Sequence, residues 1–314
     1  MIIKDTATLR KHLSVNGSVD HANIAPYLKK AERKFLKPLI GKDQLEKFKK
    51  NQKDLIIKEA QDLAQEAVAN FGYYLYLPIG AVQLSDSGIH VVENENTKSA
   101  SDKQFKELQR SFKKAGHEAL DELLEVMEQS ADKFTPWFNS SYYIVYKELL
   151  VNKTATFNEY FYIFNSRQTF MAMRPTIKTV EDRFISPVVG NLLLSNLKDP
   201  QTNKTRKEVK KLLQKAIVAF TVMLTVDNGM FVLDAEGIHM RFDVLPYEKS
   251  VTNINLKVNE FLIRTKANKE IEGNEYLKFA LEVIRKHPDK FSEYASKPEP
   301  DHIKTINTKS TVGL

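Results

Sequence analysis

The feature that most constrains this chain is that it repeats itself over a long period. Placing Phe35 over Phe184 sets an offset of 149 residues, and AERKFLKPLIG (31–41) then lies on VEDRFISPVVG (180–190). Glu32 matches Glu181, Pro38 matches Pro187 and Gly41 matches Gly190. With no gap, residues 65–91 fall on residues 214–240, where Gln65/Gln214, Phe71/Phe220, Leu75/Leu224, Gly80/Gly229, Leu84/Leu233, Gly88/Gly237, Ile89/Ile238 and His90/His239 coincide. Upstream, TATL (6–9) matches TATF (154–157) at offset 148, and downstream ADKF (131–134) matches PDKF (288–291) at offset 157. A period of about 150 residues is far longer than the 20 to 50 of stacking repeats, so each copy is expected to be a self-sufficient domain. The expected division is 1–145, 150–297 and an extended tail at 298–314, whose Pro, Lys, Thr and Ser content lacks periodicity.

The repeated residues read as scaffold. Ile24, Tyr27, Leu28, Ala31, Phe35 and Leu39 recur at three- and four-residue steps, which predicts a helix with one buried face, ended by Pro38 and Gly41. A second apolar-striped helix is expected over 54–78. AVQLSDSGIHVVE and MFVLDAEGIHMRF each read as two short strands around a turn, with Gly88 and Gly237 in left-handed turn positions where a Cβ is penalised. Further helices are expected at 102–129 and, in the second copy, at 252–266 and 274–287. The fold class is therefore mainly α with one β-hairpin per domain, as two tandem duplicated helical domains.

Chemical signatures are sparse. With no cysteine among 314 residues there is no disulfide framework, thiolate nucleophile or Cys-based metal site, which fits a reducing cytosol. The opening MIIKDTATLRKHL has no apolar run behind a basic patch, and no stretch approaches the roughly 20 apolar residues of a membrane span, so a soluble, unprocessed protein without membrane contact is expected. His90 and His239 sit at equivalent strand positions, but no partner for catalysis repeats beside them. The Gly-Lys of LIGKD lacks the rest of a phosphate-binding loop, and its counterpart VVGNL drops the lysine. Acidic pairs such as Asp121-Glu122 and Glu181-Asp182 lie on helices near compensating bases. No catalytic residue, cofactor or metal is expected, and the chain is not read as an enzyme. FTPWFNSSYY (134–143), at the junction of the copies, reads as a packing segment wedged between domains.

Charge carries the remaining signal. The net +7 is concentrated, with eleven Lys/Arg against four Asp/Glu over 29–58 and six against one over 204–215. Lys49, Lys50, Lys53, Lys58, Lys204, Arg206, Lys207, Lys210 and Lys211 are candidate contacts to DNA or another acidic surface. Because most are lysine and no aromatic pattern is interleaved, solvated helix faces are the other reading.

The segments KFLKPLIG, ALDELLEVMEQSADKFTPWFNSSYY (119–143), TATFNEYF (154–161) and VEDRFISPVVG resemble head–tail connector proteins of tailed phages, in particular an uncharacterised family carried by phages and prophages of Bacteroidetes. The resemblance implies a virion structural subunit, made in the bacterial host cytoplasm, that forms a homo-oligomeric ring between portal and tail proteins around the DNA channel. Six or twelve copies per ring are both compatible with a duplicated chain. The rival expectation is a basic DNA-binding protein of a phage or mobile element.

Overall fold

The computed structural model describes residues 1–13, 20–50, 52–80, 82–85, 88–91, 101–141, 143, 147–226, 231–233, 237–240 and 256–294, with backbone alone at 82–85, 88–91, 232, 233, 239 and 256–259. It is mainly α-helical. The first half runs α1 (Thr6–His12), α2 (His21–Ala31), a π-helical turn (Glu32–Leu36), α3 (Lys37–Phe48), α4 (Leu55–Gly80), β1 (Val82–Ser85), β2 (Gly88–Val91), α5 (Asp102–Gln129) and a short α6 (Thr135–Phe138). The second half gives α7 (Thr154–Tyr160), α8 (Arg167–Val180), a π turn (Glu181–Ile185), α9 (Ser186–Val189), α10 (Asn191–Lys198), α11 (Lys204–Thr225), β3 (Phe231–Leu233), β4 (Ile238–Met240), α12 (Leu256–Lys286) and a 3-10 turn (Pro288–Lys290). The order is the same, and each half encloses its own apolar core. The expected tail, 298–314, lies outside the described residues.

Pro38 does not end the first buried-face helix. It falls in the first turn of α3, just past the π turn, where a missing N–H costs little. The break comes at Gly41, with φ 79°, and at Gly190, with φ 91°, values that side chains other than glycine rarely adopt. Ahead of each break, Phe35 stacks on Phe71 at 4.0 Å between centroids, and Phe184 stacks on Phe220 at 4.8 Å. A glycine closes each stack: a Cβ at Gly116 would lie 2.8 Å from the Phe71 ring, and one at Gly273 2.6 Å from Phe220. Gly273 explains why the second copy's last helix, expected in two pieces, is the single helix α12: the glycine there makes room for an aromatic ring instead of breaking the helix.

Polar residues matched between the halves hold the chain entering each one. Glu32 accepts the Ile2 N–H, and Gln65 donates to the Ile2 carbonyl at 3.2 Å. In the second half Glu181 accepts the Leu150 N–H at 2.5 Å, and Gln214 donates to the Leu150 carbonyl at 2.9 Å. The backbone N–H and C=O of one buried residue are thereby both satisfied in each half, which an apolar residue at either position could not do. At the next corner Gln52 donates to the carbonyls of Lys47 and Lys50, and Gln201 donates to those of Asn196 and Asp199. Asp54 and Asn203 then cap α4 and α11.

One core polar residue lacks this logic. Gln44 is fully buried, and neither its Oε1 nor its Nε2 has a hydrogen-bond partner, whereas Leu193 stands at the equivalent place. Gln44→Leu is expected to raise the unfolding free energy by roughly 1–3 kcal/mol, the cost of an unsatisfied buried amide. Urea denaturation of the two proteins side by side measures it.

The strands form two antiparallel pairs, Ser85 opposite Gly88 in one and Leu233 opposite Ile238 in the other. Gly88 is thus the first paired residue of its strand rather than the last residue of a left-handed turn, and the turn itself, 86–87, lies outside the described residues. Gly237 has the expected positive φ, 153°, a conformation that residues with a side chain rarely adopt, and a Cβ there would also approach the Tyr162 carbonyl oxygen to 2.4 Å. The second demand for glycine is the close passage that lets the Ile238 N–H reach the same carbonyl at 3.2 Å. Gly237→Val is expected to lower stability by about 2 kcal/mol or more, read as a drop in the midpoint of thermal unfolding.

Candidate interaction surfaces

The nine cations singled out in the sequence divide into two groups. Arg206 is spent on the fold: it binds Glu293 at 3.0 Å and the Lys290 carbonyl at 2.8 Å, and its hydrogen bond holds the Glu293 carboxyl down to about 2. Lys210 donates to the carbonyls of Lys198 and Asp199 at the end of α10, and burial lowers its pKa. Gln61 does the same for Phe48 and Lys50 in the first half, so position 210 is a helix-closing donor that happens to be charged. Lys49 pairs with Glu46 at 2.7 Å.

The other six, Lys50, Lys53 and Lys58 in one half and Lys204, Lys207 and Lys211 in the other, are exposed. They occupy the same corner of each half, where α3 passes to α4 and α10 to α11. Lys204, Lys207 and Lys211 follow a three- and four-residue spacing along one face of α11. The first turn of α11 contains no acidic residue, so these cations stand at the positive end of the helix dipole, an arrangement that an anion relieves. His90 and His239 pair through their backbones with Gln83 and Val232, and their side chains lie outside the described residues.

A second polar surface joins the halves. His117, Asp121, Glu125 and Glu128 form one stripe of α5, at steps of four, four and three residues. Against it lies the start of α8. The Gln168 side chain donates to the His117 carbonyl at 2.8 Å, its Oε1 lies 2.7 Å from His117 Nδ1, and its backbone N–H reaches Asp121 at 2.9 Å. Arg167, with its side chain 7% exposed, lies 3.1 Å from Glu125 and 3.4 Å from Glu128, the latter an ion pair without hydrogen-bond geometry. Thr154 donates to Glu128 at 3.1 Å. Burial raises the pKa values of Asp121 and Glu128, and Arg167 draws that of Glu128 back. Tyr143 and Met171 pack against both cores. Trp137, from the aromatic segment expected to wedge between domains, is instead buried in the first core, its indole N–H donating to the Leu39 carbonyl at 3.2 Å.

This stripe was not recognised from sequence because its members read individually as solvated acids beside bases. The four-residue spacing of His117, Asp121 and Glu125 was the available signal. Chemically, the stripe is a fastening: the polar contacts described on it are to backbone groups, a hydroxyl, an amide and an opposite charge. Among the described residues, no group of three or more His, Asp or Glu is arranged to hold a metal ion, and no helix is long and apolar enough to cross a membrane.

No curated protein and no solved structure matches the chain. The family described as "Family of unknown function (DUF6712)" matches it in two segments, residues 36–147 and 180–303. Together these cover more than half of the sequence, and the chain belongs to that family.

Proposed function

We propose that this chain is a tandem duplication of one helical module and serves as a non-enzymatic virion subunit, a head–tail connector or adaptor whose ring surrounds the DNA between portal and tail. The observation that carries the reading is the pair of exposed lysine groups, Lys50, Lys53 and Lys58 with Lys204, Lys207 and Lys211, on the same corner of both halves. Lysines on flexible stems neutralise phosphate without reading bases, which suits a surface along which DNA must slide. The shared element order, the two peptide-holding Glu/Gln pairs and the two stacked phenylalanine pairs support the duplication. The resemblance of the KFLKPLIG region to phage connectors, and of the 119–143 and 154–161 segments to an uncharacterised family carried by phages and prophages, supports the setting.

Imaging of the native particle tests the proposal. The expected result is a closed ring in which both lysine corners face the channel. A monomer or a two-fold protein in the particle, or a channel lined by Asp and Glu, overturns it.

The rival reading, a DNA-binding protein acting alone, draws on the cation-rich first turn of α11. A salt titration of binding to double-stranded DNA separates the two. For the connector, weak binding by the isolated chain is expected, with a salt slope that falls by roughly two to three when Lys204, Lys207 and Lys211 are all changed to Gln. Tight, salt-sensitive binding by a monomer favours the rival.

A further inference from the structure

The contact that joins the two halves has counterpart surfaces on α12 and at the α1–α2 entry. The downstream offset of 157 residues extends through the last long helices: GHEALDELLEV (116–126) lies on GNEYLKFALEV (273–283). The α5 stripe His117, Asp121, Glu125, Glu128 therefore corresponds to Asn274, Lys278, Glu282 and Arg285 on α12. In α5 the stripe binds the start of α8. On α12, Lys278, Glu282 and Arg285 are exposed.

Two further differences show what α12 is suited to meet. Ile263, Ile271, Phe261 and Phe279 are 69%, 59%, 42% and 46% exposed, and their counterparts in α5 are Lys106, Lys114, Gln104 and Glu122. On a helical wheel Ile271 falls within the stripe and Ile263 at one margin of it, while Phe261 and Phe279 lie about 60° beyond the other margin. Four polar positions have become large apolar ones, spread across the exposed side of the helix around the stripe.

The matching surface lies on the first half. Met171, which crosses to the core of the opposite half, corresponds to Ala22, and Ala22 with Ala25, Pro26 and Lys29 lines a shallow groove beside α2. The small residue leaves open the space that a large one fills in the second half. The charges have reversed as well. Lys153 and Arg167 stand at the entry to the second half, while exposed Asp5 and Asp20 stand at the entry to the first, where Thr6, the counterpart of Thr154, donates to Asp20 and the Thr8 N–H donates to Asp5. Within the chain, an acidic stripe meets a basic entry. Between chains, Lys278 and Arg285 would meet an acidic entry, and Glu282 would find Lys29 in the groove.

We infer that the α12 face of one copy docks on the α1–α2 entry of a second copy, repeating the junction within the chain as a head-to-tail contact between chains. Such a contact is heterologous and propagates, so it closes into a ring or runs on as a filament. The inference rests on the assembly reading above, which it supplies with a surface.

The natural absence of cysteine makes the test clean. Asp20→Cys and Lys278→Cys are placed in one chain and oxidised at high protein concentration, with light scattering of the unmodified chain in parallel. A ladder of disulfide-linked multimers is expected from the double variant. Mixing the two single variants should enrich a heterodimer, with Asp20 and Lys278 at the linked positions by mass spectrometry. Lys278→Asp should weaken self-association about tenfold or more, and adding Asp20→Lys should restore it. Products linked only within one chain, or no linked product, overturn the docking surface. If the unmodified chain self-associates while these variants neither link nor weaken it, the surface is wrong and the assembly reading stands. An unmodified chain that stays monomeric and unlinked, and that is also absent from the particle as a ring, removes both.

Discussion

Glu181→Ala is expected to lower the unfolding free energy by about 3 kcal/mol, and Glu32→Ala, at the matched position, by about half as much. Glu181 is 1% exposed, and its two carboxylate oxygens do different work. One accepts the Leu150 N–H at 2.5 Å, and the other binds Lys198 Nζ at 2.8 Å. Removing the side chain leaves a buried peptide N–H without an acceptor and strips Lys198 of its counter-charge, so the loss combines a desolvation penalty with a broken ion pair. In the first half the corresponding lysine, Lys49, turns to Glu46 instead, and Glu32 holds only the Ile2 N–H. The difference between the two variants therefore reports the ion pair, and their common part reports the peptide. Glu181→Gln keeps an acceptor for Leu150 and loses the charge, so it should fall between wild type and Glu181→Ala. Denaturant midpoints at fixed slope give all three values. Equal losses at the two positions would show that the Lys198 ion pair adds nothing, and a loss under about 1 kcal/mol at Glu181 would show that the peptide-holding contact is not what keeps these glutamates in the core.

The same comparison shows how far the sequence could be read. Matching Glu32 with Glu181 and Gln65 with Gln214 is visible in the letters, but not what they bind, because the bound peptide lies some 30 residues from the Glu and over 60 from the Gln. Helix α5 was legible to its end residues, since its apolar period is strong and Ser101 with Gln104 forms a capping box. Helix α12 was misread because glycine has two uses, breaking a helix or admitting a neighbour, and only the Phe220 ring decides between them. At Gly237 the positive φ was legible, but not the second need for glycine, set by Tyr162, 75 residues upstream. Among the nine cations, spacing could not separate Arg206 and Lys210, which satisfy carbonyls and a carboxylate, from the exposed six. Local pattern fixes the periodicity of an element, whereas the reason for a single residue often sits on another element.

The junction between the halves should weaken as the solution is acidified, through His117. The Gln168 amide is oriented by its donation to the His117 carbonyl, so its Oε1 is the acceptor and His117 Nδ1 carries the proton of the neutral ring. The ring lies edge-on to Phe71 at 4.8 Å and to Phe35 at 6.2 Å. Burial among these groups lowers its pKa to about 4; the Gln168 bond offsets part of the shift, and Lys113 adds to it. A folded value below the unfolded 6.5 means that the unfolded chain binds the proton more tightly. The stabilisation is thus complete above pH 6.5 and is lost as the pH falls towards 4, by roughly 3 kcal/mol over the interval. Asp121 and Glu128, facing the same contact, have raised values and act in the opposite sense, regaining stability as they take up protons. A bare pH profile mixes these terms, so the decisive quantity is the difference between wild type and His117→Asn. Asparagine fits, because Asn274 stands at the equivalent place beside Gly273. Denaturant unfolding of both proteins from neutral pH down to about 4 should give a constant difference above pH 6.5 and a steadily shrinking wild-type advantage below it. A flat difference across the range would mean that His117 is as easily protonated in the folded chain as in the unfolded one, and that its ring does not seal the junction against water.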